Sequence, residues 1–179
     1  MRTGNVGIGR EPGMRAGAFI VGPRDGSGAA LLDMARAIGF QSVARYRGLD
    51  AVERQFESTP LVFFLFAGVP RLSRLKPATA AIRFAANPRL RFAPMIYIAP
   101  QLSRRQLESC VEMGFDDVIT LPYVNGDFGE RVFRQVGRAQ LYFETPTYFG
   151  PDRRGRFGLT REPRPDRKST RLNSSHRTV

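Results

Sequence analysis

The sequence has very few of the side chains that carry redox and acid–base chemistry. Its single cysteine, Cys110, excludes an internal disulfide and suits a reducing compartment such as the cytosol. Its single histidine, His176, lies within the last residues of the chain. We therefore expect neither a disulfide-stabilised fold nor an enzyme that uses histidine as its general acid or base.

Long apolar runs are missing as well. The longest, from Leu61 to Pro70, is too short to cross a bilayer but fits a strand that is covered on both faces. Residues 1–17 contain five glycines, three arginines and one proline without an apolar core, which does not resemble a secretory signal. We predict a flexible segment there, and a cytoplasmic protein that does not associate with membranes.

The composition otherwise describes a folded, basic protein. The chain has 179 residues, of which 42% are hydrophobic, including 14 phenylalanines, enough for one domain with a substantial core. The formal net charge is +12, which alone would suggest a polyanionic partner.

Part of that charge belongs to a segment that looks foreign to the protein. Residues 166–179 begin with DRKSTRLNSSH, which resembles a translated sequencing adapter, and His176 lies within it. These residues carry four basic side chains and one acidic one, a net charge of +3, which leaves +9 for the rest. We interpret residues 166–179 as a sequencing-adapter artefact and set them aside.

Apolar runs, helical spacing and turn residues alternate along the remaining chain. They predict strands at 18–22, 42–46, 61–66, 95–99 and 118–121, and helices at 29–38, 49–58, 73–86, from about 104 to Gly114, and 127–143. Pro77 would interrupt the third helix or mark its first turn, and Asn87-Pro88 would end it. Strict alternation of strands and helices predicts a doubly wound α/β domain with a parallel sheet.

The most specific string, LESCVEMGFDDVITLPY, occupies residues 107–123. Leu107, Cys110 and Val111 recur at helical spacing and predict an apolar helix face. Gly114 would end this helix in the left-handed conformation that glycine adopts most easily. The apolar strand that follows is closed by Pro122, which cannot donate to a sheet.

Two blocks resemble the receiver domain of two-component response regulators. One is EMGFDDVITLPY; the other is the apolar run from Pro60 to Pro70, with NPRLRFAPMIYIA after it. The resemblance covers residues 18–140 and implies a flavodoxin-like fold of five parallel strands in the order 2-1-3-4-5. It leaves residues 141–165 as an aromatic and basic extension.

The resemblance also implies a chemistry for which this chain lacks the residues. Receivers accept a phosphoryl group on an aspartate at the end of the third strand, beside a metal-binding acidic pair, a hydroxyl and a lysine. The corresponding positions here hold Phe66, Gly22-Pro23, Ala99 and Leu121. We therefore predict a pseudo-receiver, not an enzyme, with no catalytic residue, metal or cofactor.

Four other features have both a chemical and a structural interpretation. Asp116-Asp117 could be a metal or acid–base pair, but the resemblance favours a structural turn between helix and strand. Asp25 alone is a poor site for a hard cation. The Gly22–Gly28 loop follows a strand and opens a helix, so nucleotide sensing there is the alternative function. Cys110 is expected to be buried and inert.

The last prediction is a protein-binding surface. In receivers the fourth helix, fifth strand and fifth helix form the usual docking and dimerisation face. We therefore expect a protein partner or a homodimer there and no nucleic acid. The alternative is a charged face that contacts only solvent. The aromatic extension should pack back on the domain or on a partner. The residues assigned to this surface are Arg104, Arg105, Arg131, Arg134, Arg138, Tyr148, Phe149, Arg153 and Arg154.

Overall fold

Five parallel strands form the central sheet of the protein. The computed structural model describes residues 15–24, 26–56, 59–122, 125–137 and 140–153. The strands are β1 (Ala16–Val21), β2 (Ser42–Arg45), β3 (Leu61–Ala67), β4 (Met95–Ala99) and β5 (Asp117–Thr120). Their order is β2-β1-β3-β4-β5, with parallel pairing at each step. This is the flavodoxin-like doubly wound topology, and the predicted fold class is confirmed.

The helices connect successive strands and cover both faces of the sheet. They are α1 (Gly26–Ala37), α2 (Leu49–Phe56), a 3-10 turn (Leu72–Leu75), α3 (Lys76–Arg83), α4 (Pro88–Arg91), α5 (Arg104–Glu112) and α6 (Asn125–Phe133). Pro77 lies in the first turn of α3, one of its two predicted positions. Asn87 does more than separate two elements, because its side chain accepts a hydrogen bond from the Arg89 amide and caps α4.

The centre of the sheet divides the core into two layers. Along β3, Phe64 and Phe66 join the layer beneath α2, α3 and α5, while Phe63 and Leu65 join the layer beneath α1 and α6. All four side chains are fully buried. This explains why β3 is apolar without alternation, since both of its faces are covered.

Helix α5 begins and ends where the sequence signals it should. Ser103 and Gln106 form a reciprocal capping box at its start, and Gly114 follows its end with φ of +76°. Cys110 is buried as predicted, but Leu107 is 46% exposed, which contradicts its assignment to the apolar face. The inward stripe instead runs through Gln106, Ser109, Cys110 and Met113, which places Leu107 at its margin.

The predicted last helix, residues 127–143, is too long. Helix α6 ends at Phe133, and the chain turns through Gly137, whose φ is +72°. Helical spacing over this range predicts that Phe128, Val132, Val136 and Phe143 face inward. Phe128 and Val132 are buried, whereas Val136 and Phe143 are about 40% exposed and do not face the core. A residue with a left-handed backbone cannot continue an α-helix, so the helical spacing beyond Phe133 was coincidental.

The C-terminal extension folds into a β-hairpin. Strands β6 (Tyr142–Thr145) and β7 (Tyr148–Pro151) pair antiparallel across the turn formed by Pro146 and Thr147. The hairpin lies against the amino edge of the sheet, which we define as the edge where β4 and β5 begin. A Cβ atom on Gly114 would lie 2.4 Å from the Phe149 carbonyl oxygen, so the two backbones are in direct contact. Tyr142 and Phe149 pack back on the domain as predicted, whereas Phe143 is 39% exposed.

Two glycines provide a matched test of this contact. Gly114 and Gly137 have nearly the same positive φ, but nothing lies within 4 Å of a Cβ built on Gly137. We expect Gly137→Ala to cost about 1 kcal/mol of unfolding free energy, from backbone strain alone. Gly114→Ala should cost about 3 kcal/mol, because the hairpin must also move. Urea unfolding of both variants measures the difference, and equal losses would show that the hairpin does not press on Gly114.

Candidate functional site

The carboxyl edge of the sheet, where the parallel strands end, is the usual ligand site of this topology. Here the strands end at Val21, Arg45, Ala67, Ala99 and Thr120, with Leu121 directly after β5. Ala67 and Ala99 are buried, whereas Thr120 is exposed and contributes a hydroxyl group. The edge is therefore built mostly from apolar and small side chains.

Phe66 lies inside the core and not in a cleft. It pairs with Val21 on one side and with Tyr97 on the other, and its side chain is fully buried. Its ring packs edge-on against Phe115, with ring centroids 4.8 Å apart. The strand continues one residue beyond its predicted end, to Ala67. An aromatic ring in this setting offers neither a nucleophile nor a metal ligand.

Ala99 and Leu121, at the expected hydroxyl and lysine positions, also provide no group that could take part in phosphoryl transfer. Ala99 is 4% exposed and approaches Gly68 so closely that a Cβ on Gly68 would lie 3.1 Å from the Ala99 Cβ atom. Leu121 is half-buried, packs on the core layer beneath α1 and α6, and is joined to Pro122 by a cis peptide bond. Within the described residues, no three His, Cys, Asp or Glu side chains are grouped so that they could hold a metal ion.

The Gly22–Gly28 loop is held by the protein's own side chains. The Arg45 guanidinium donates to the carbonyl oxygens of Pro23 and Arg24, at 2.9 and 2.7 Å. Ser27 donates through its hydroxyl to the Gly68 carbonyl oxygen, at 2.9 Å. A Cβ on Gly28 would lie 1.9 Å from the Pro23 carbonyl oxygen, so the loop is closed on itself. Asp25 lies outside the described residues.

The Asp116-Asp117 pair lies at the amino edge, far from the strand ends. The Asp116 carboxylate accepts hydrogen bonds from Arg83 Nη2 at 2.5 Å, from the Met95 amide at 2.6 Å and from the Tyr142 hydroxyl. The side chains of Arg83 and Asp116 are each about 1% exposed. These contacts give Asp116 the structural role that the resemblance favoured, and not that of a metal or acid–base pair.

Arg83 is the residue that sequence reasoning missed. Its Nε and Nη2 atoms donate to the Gly114 carbonyl oxygen at 2.9 and 2.6 Å, and its Nη1 atom donates to the carbonyl oxygens of Arg91 and Ala93. The guanidinium thus ties α3, the loop before β4 and the turn after α5 to Asp116. Arginine on a basic stretch carries no sequence signal for burial, so only the structure reveals it.

The hairpin closes over this ion pair through aromatic contacts. The rings of Tyr142 and Phe149 stack with centroids 5.3 Å apart, and Phe92 packs edge-on against both. Arg91 lies over the Phe149 ring at 4.0 Å and forms an ion pair with Glu144. Burial, and then the neighbouring Asp116 carboxylate, raise the pKa of the Tyr142 phenol, which therefore remains a hydrogen-bond donor. The signal for this hairpin was a Pro-Thr turn between two aromatic segments.

The residues predicted for the interaction surface do not form one patch. Arg104 and Arg105 are exposed at the start of α5, near the carboxyl edge, and Arg134 is exposed beyond α6. The hairpin residues lie at the opposite, amino edge, where Phe149 is buried and Tyr148 is half-buried. Arg138 and Arg154 lie outside the described residues.

Two of the predicted surface arginines form contacts within the domain. Arg131 makes a two-pronged ion pair with Asp117, with Nε and Nη2 each 2.9 Å from a carboxylate oxygen. Arg153 donates to the Phe115 carbonyl oxygen at 2.6 Å. Both side chains therefore help to hold the amino edge together.

Cys110 has none of the features of a reactive thiol. It is fully buried in the core layer beneath α2, α3 and α5. Burial raises the pKa of the Cys110 thiol to about 11, although the positive charge of Arg153 opposes the shift. The thiolate, which is the nucleophilic form, is therefore disfavoured.

The fold class is thus set by the strand order, and comparison with known proteins adds similar structures but no family. No protein-family model and no curated protein matches the chain. Among solved structures, it is similar to the receiver domain of sensor histidine kinase PA1611 from Pseudomonas aeruginosa PAO1, at 20% identity and a TM-score of 0.49, covering 68% of this chain and 97% of that one. It is also similar to the response regulator RPA3017 of R. palustris, at 11% identity and a TM-score of 0.42. This match covers 67% of the present chain and 90% of that response regulator.

We expect the two arginine–aspartate pairs to contribute very differently to the free energy of unfolding. Arg83→Met leaves the Asp116 carboxylate buried without its cation and should cost about 3–5 kcal/mol of unfolding free energy. Arg131→Met breaks a pair that is partly exposed, with the arginine side chain 34% accessible. Solvent screening should limit that loss to about 1 kcal/mol. Denaturant unfolding of the two variants distinguishes them, and similar losses would contradict the burial argument.

Cys110 should be slow to alkylate in the native protein. With a pKa of about 11 in the fold against 9.0 as the ordinary value, the thiolate fraction at pH 8 falls about a hundredfold. Mass spectrometry after iodoacetamide treatment, with and without denaturant, measures the two rates. Comparable rates would show that the thiol is accessible.

The same pKa shift predicts a dependence of stability on pH. Because the folded-state pKa is the higher one, its contribution to stability is present below pH 9 and is lost as the pH rises through about 11. The unfolding free energy of the wild type should therefore fall more steeply over this interval than that of Cys110→Ala. Parallel slopes would contradict the shift.

Proposed function

We propose that the protein is a receiver-like signalling module, of the two-component or phosphorelay type, that acts by protein–protein contact without aspartyl phosphorylation. The five-stranded sheet in the order 2-1-3-4-5 and the receiver-like block that ends in Leu121-Pro122 support this proposal. In this view it is not an enzyme, it works in the cytoplasm, and its partner is another protein or a second copy of the chain. No helix in the described part of the chain is long and apolar enough to cross a membrane.

The observation that carries the proposal is the burial of Phe66 near the end of β3. Phosphoryl transfer to a receiver needs a carboxylate at this point, together with a divalent cation and a fixed positive charge. Phe66 is fully buried against Phe115, and Ala99 and Leu121 stand at the neighbouring strand ends. These side chains can neither accept a phosphoryl group nor neutralise its charge.

A module without this chemistry must signal through its surface. The exposed arginines at the start of α5 and beyond α6, Arg104, Arg105 and Arg134, remain candidates for partner contact. The hairpin offers less surface to a partner, because its aromatic face packs against the domain. In this segment Leu141 and Phe143 are the side chains that expose substantial apolar surface.

Nucleotide sensing at the Gly22–Gly28 loop remains the alternative, and no contact described above favours it. Arg45 and Ser27 already tie the loop to the sheet.

The proposal is tested by exposure to a small-molecule phosphodonor. Incubation of the full chain with acetyl phosphate and Mg²⁺ should leave its intact mass unchanged, because Phe66 stands where a receiver has its acceptor carboxylate. A receiver with the complete set of catalytic residues, treated in parallel, shows that the donor is active. An acid-stable, hydroxylamine-labile mass gain on this chain would refute the proposal.

A further inference from the structure

The middle of the chain has a charge distribution that the proposed function does not explain. Between Thr59 and Leu107 the sequence contains no aspartate or glutamate. The basic residues of this stretch are Arg71, Arg74, Lys76, Arg83, Arg89, Arg91, Arg104 and Arg105. A solvated surface normally mixes both signs, so an uninterrupted run of one sign points to an external counter-charge.

Three of these cations have partners within the domain. Arg83 is buried against Asp116, Arg91 pairs with Glu144, and Arg89 donates to the Pro60 carbonyl oxygen. All three lie towards the amino edge, close to the hairpin or to the start of β3. Their contacts therefore stabilise the folded domain itself.

The other five cations are exposed. Lys76 lines the pocket between α3, the end of α5 and the hairpin, together with Glu112. The remaining four follow the ends of two neighbouring strands, β3 and β4, at the carboxyl edge, where α5 contacts the 3-10 turn directly. We name this set the basic edge; its members are Arg71, Arg74, Arg104 and Arg105.

The charge of the basic edge is poorly compensated within the described part of the chain. Arg104 pairs with Glu108 on the surface of α5, at 3.0 Å, and the other three form no ion pair with a described residue. Arg104 and Arg105 also lie in the first turn of α5, where the positive end of the helix dipole disfavours a cation. Mutual repulsion and the helix dipole therefore make this surface attractive to an anion.

An apolar groove adjoins the basic edge. It lies between the ends of β4 and β5 and is lined by Pro100, Gln101, Leu121 and Pro122. Pro100 and Gln101 lead directly into the start of α5, and Leu107, one turn after Arg104, is 46% exposed. The surface thus places positive charge beside an apolar groove. This combination suits a peptide with acidic and apolar side chains better than it suits the phosphate backbone of a nucleic acid.

We infer that the basic edge and the adjoining groove bind an acidic segment of a protein partner. The carboxylates of that segment would meet the arginines of the basic edge, and an apolar side chain would enter the groove beside Leu121. This inference rests on the proposed protein-contact function and specifies the chemistry of the partner and the edge that receives it.

The test uses the full-length chain and a fluorescein-labelled, glutamate-rich peptide with a central Leu-Leu pair. Fluorescence anisotropy at low salt should show binding that weakens about tenfold in the variant R71Q/R74Q/R105Q. The matched variant R15Q/R36Q/R54Q removes the same charge from exposed sites elsewhere and should bind within about twofold of the wild type. All six arginines lie on the described surface, so neither variant removes a buried contact.

Two further probes complete the design. A peptide with glutamine in place of glutamate, and one with alanine in place of leucine, should each bind more weakly than the parent. Equal losses in the two triple variants, or equal binding of the glutamine peptide, would overturn the inference. The inference would also be overturned if duplex DNA bound more tightly than the peptide and the variant R71Q/R74Q/R105Q lost that DNA binding. Because these readouts are independent of any mass gain with acetyl phosphate, failure here can be told apart from failure of the proposed function.

Discussion

The buried ion pair between Arg83 and Asp116 is the contact on which the amino edge of the domain depends. Removing a guanidinium and a carboxylate from water costs several kcal/mol, and such a pair persists only when its remaining donors and acceptors are also satisfied. Here the Gly114, Arg91 and Ala93 carbonyl oxygens and the Tyr142 hydroxyl supply those partners. The hairpin is therefore part of the folding unit, because one of its side chains completes the pair.

This arrangement separates the two edges of the sheet by chemistry. At the amino edge, charged groups are buried, paired and covered by aromatic rings. At the carboxyl edge, three of the five strands end in the apolar or small residues Val21, Ala67 and Ala99, and the arginines of the basic edge face solvent. In this topology the ligand-binding groups usually lie at the carboxyl edge, whereas here the buried ion pair lies at the amino edge. The carboxyl edge can then interact with other molecules through its charge and its shape.

The sequence predicted the sheet well because its signals were local. The unbroken apolar run of β3, the glycine after α5 and the proline after β5 each have one dominant structural meaning. The hairpin was predicted only as aromatic residues that pack back, because the spacing of Val136 and Phe143 imitates a helix and only the backbone at Gly137 breaks it. The burial of Arg83 was not predictable, since it depends on acceptors contributed by residues far along the chain.

The position of the hairpin also determines where the chain enters and leaves the domain. Strand β1 begins at the amino edge with Ala16, and Arg153, just past the hairpin, contacts Phe115 immediately before β5. Both ends of the described domain therefore emerge on the same side, opposite the carboxyl edge. Tethers, reporter fusions or a circularising linker could be attached at either end and would leave the opposite side open to solvent.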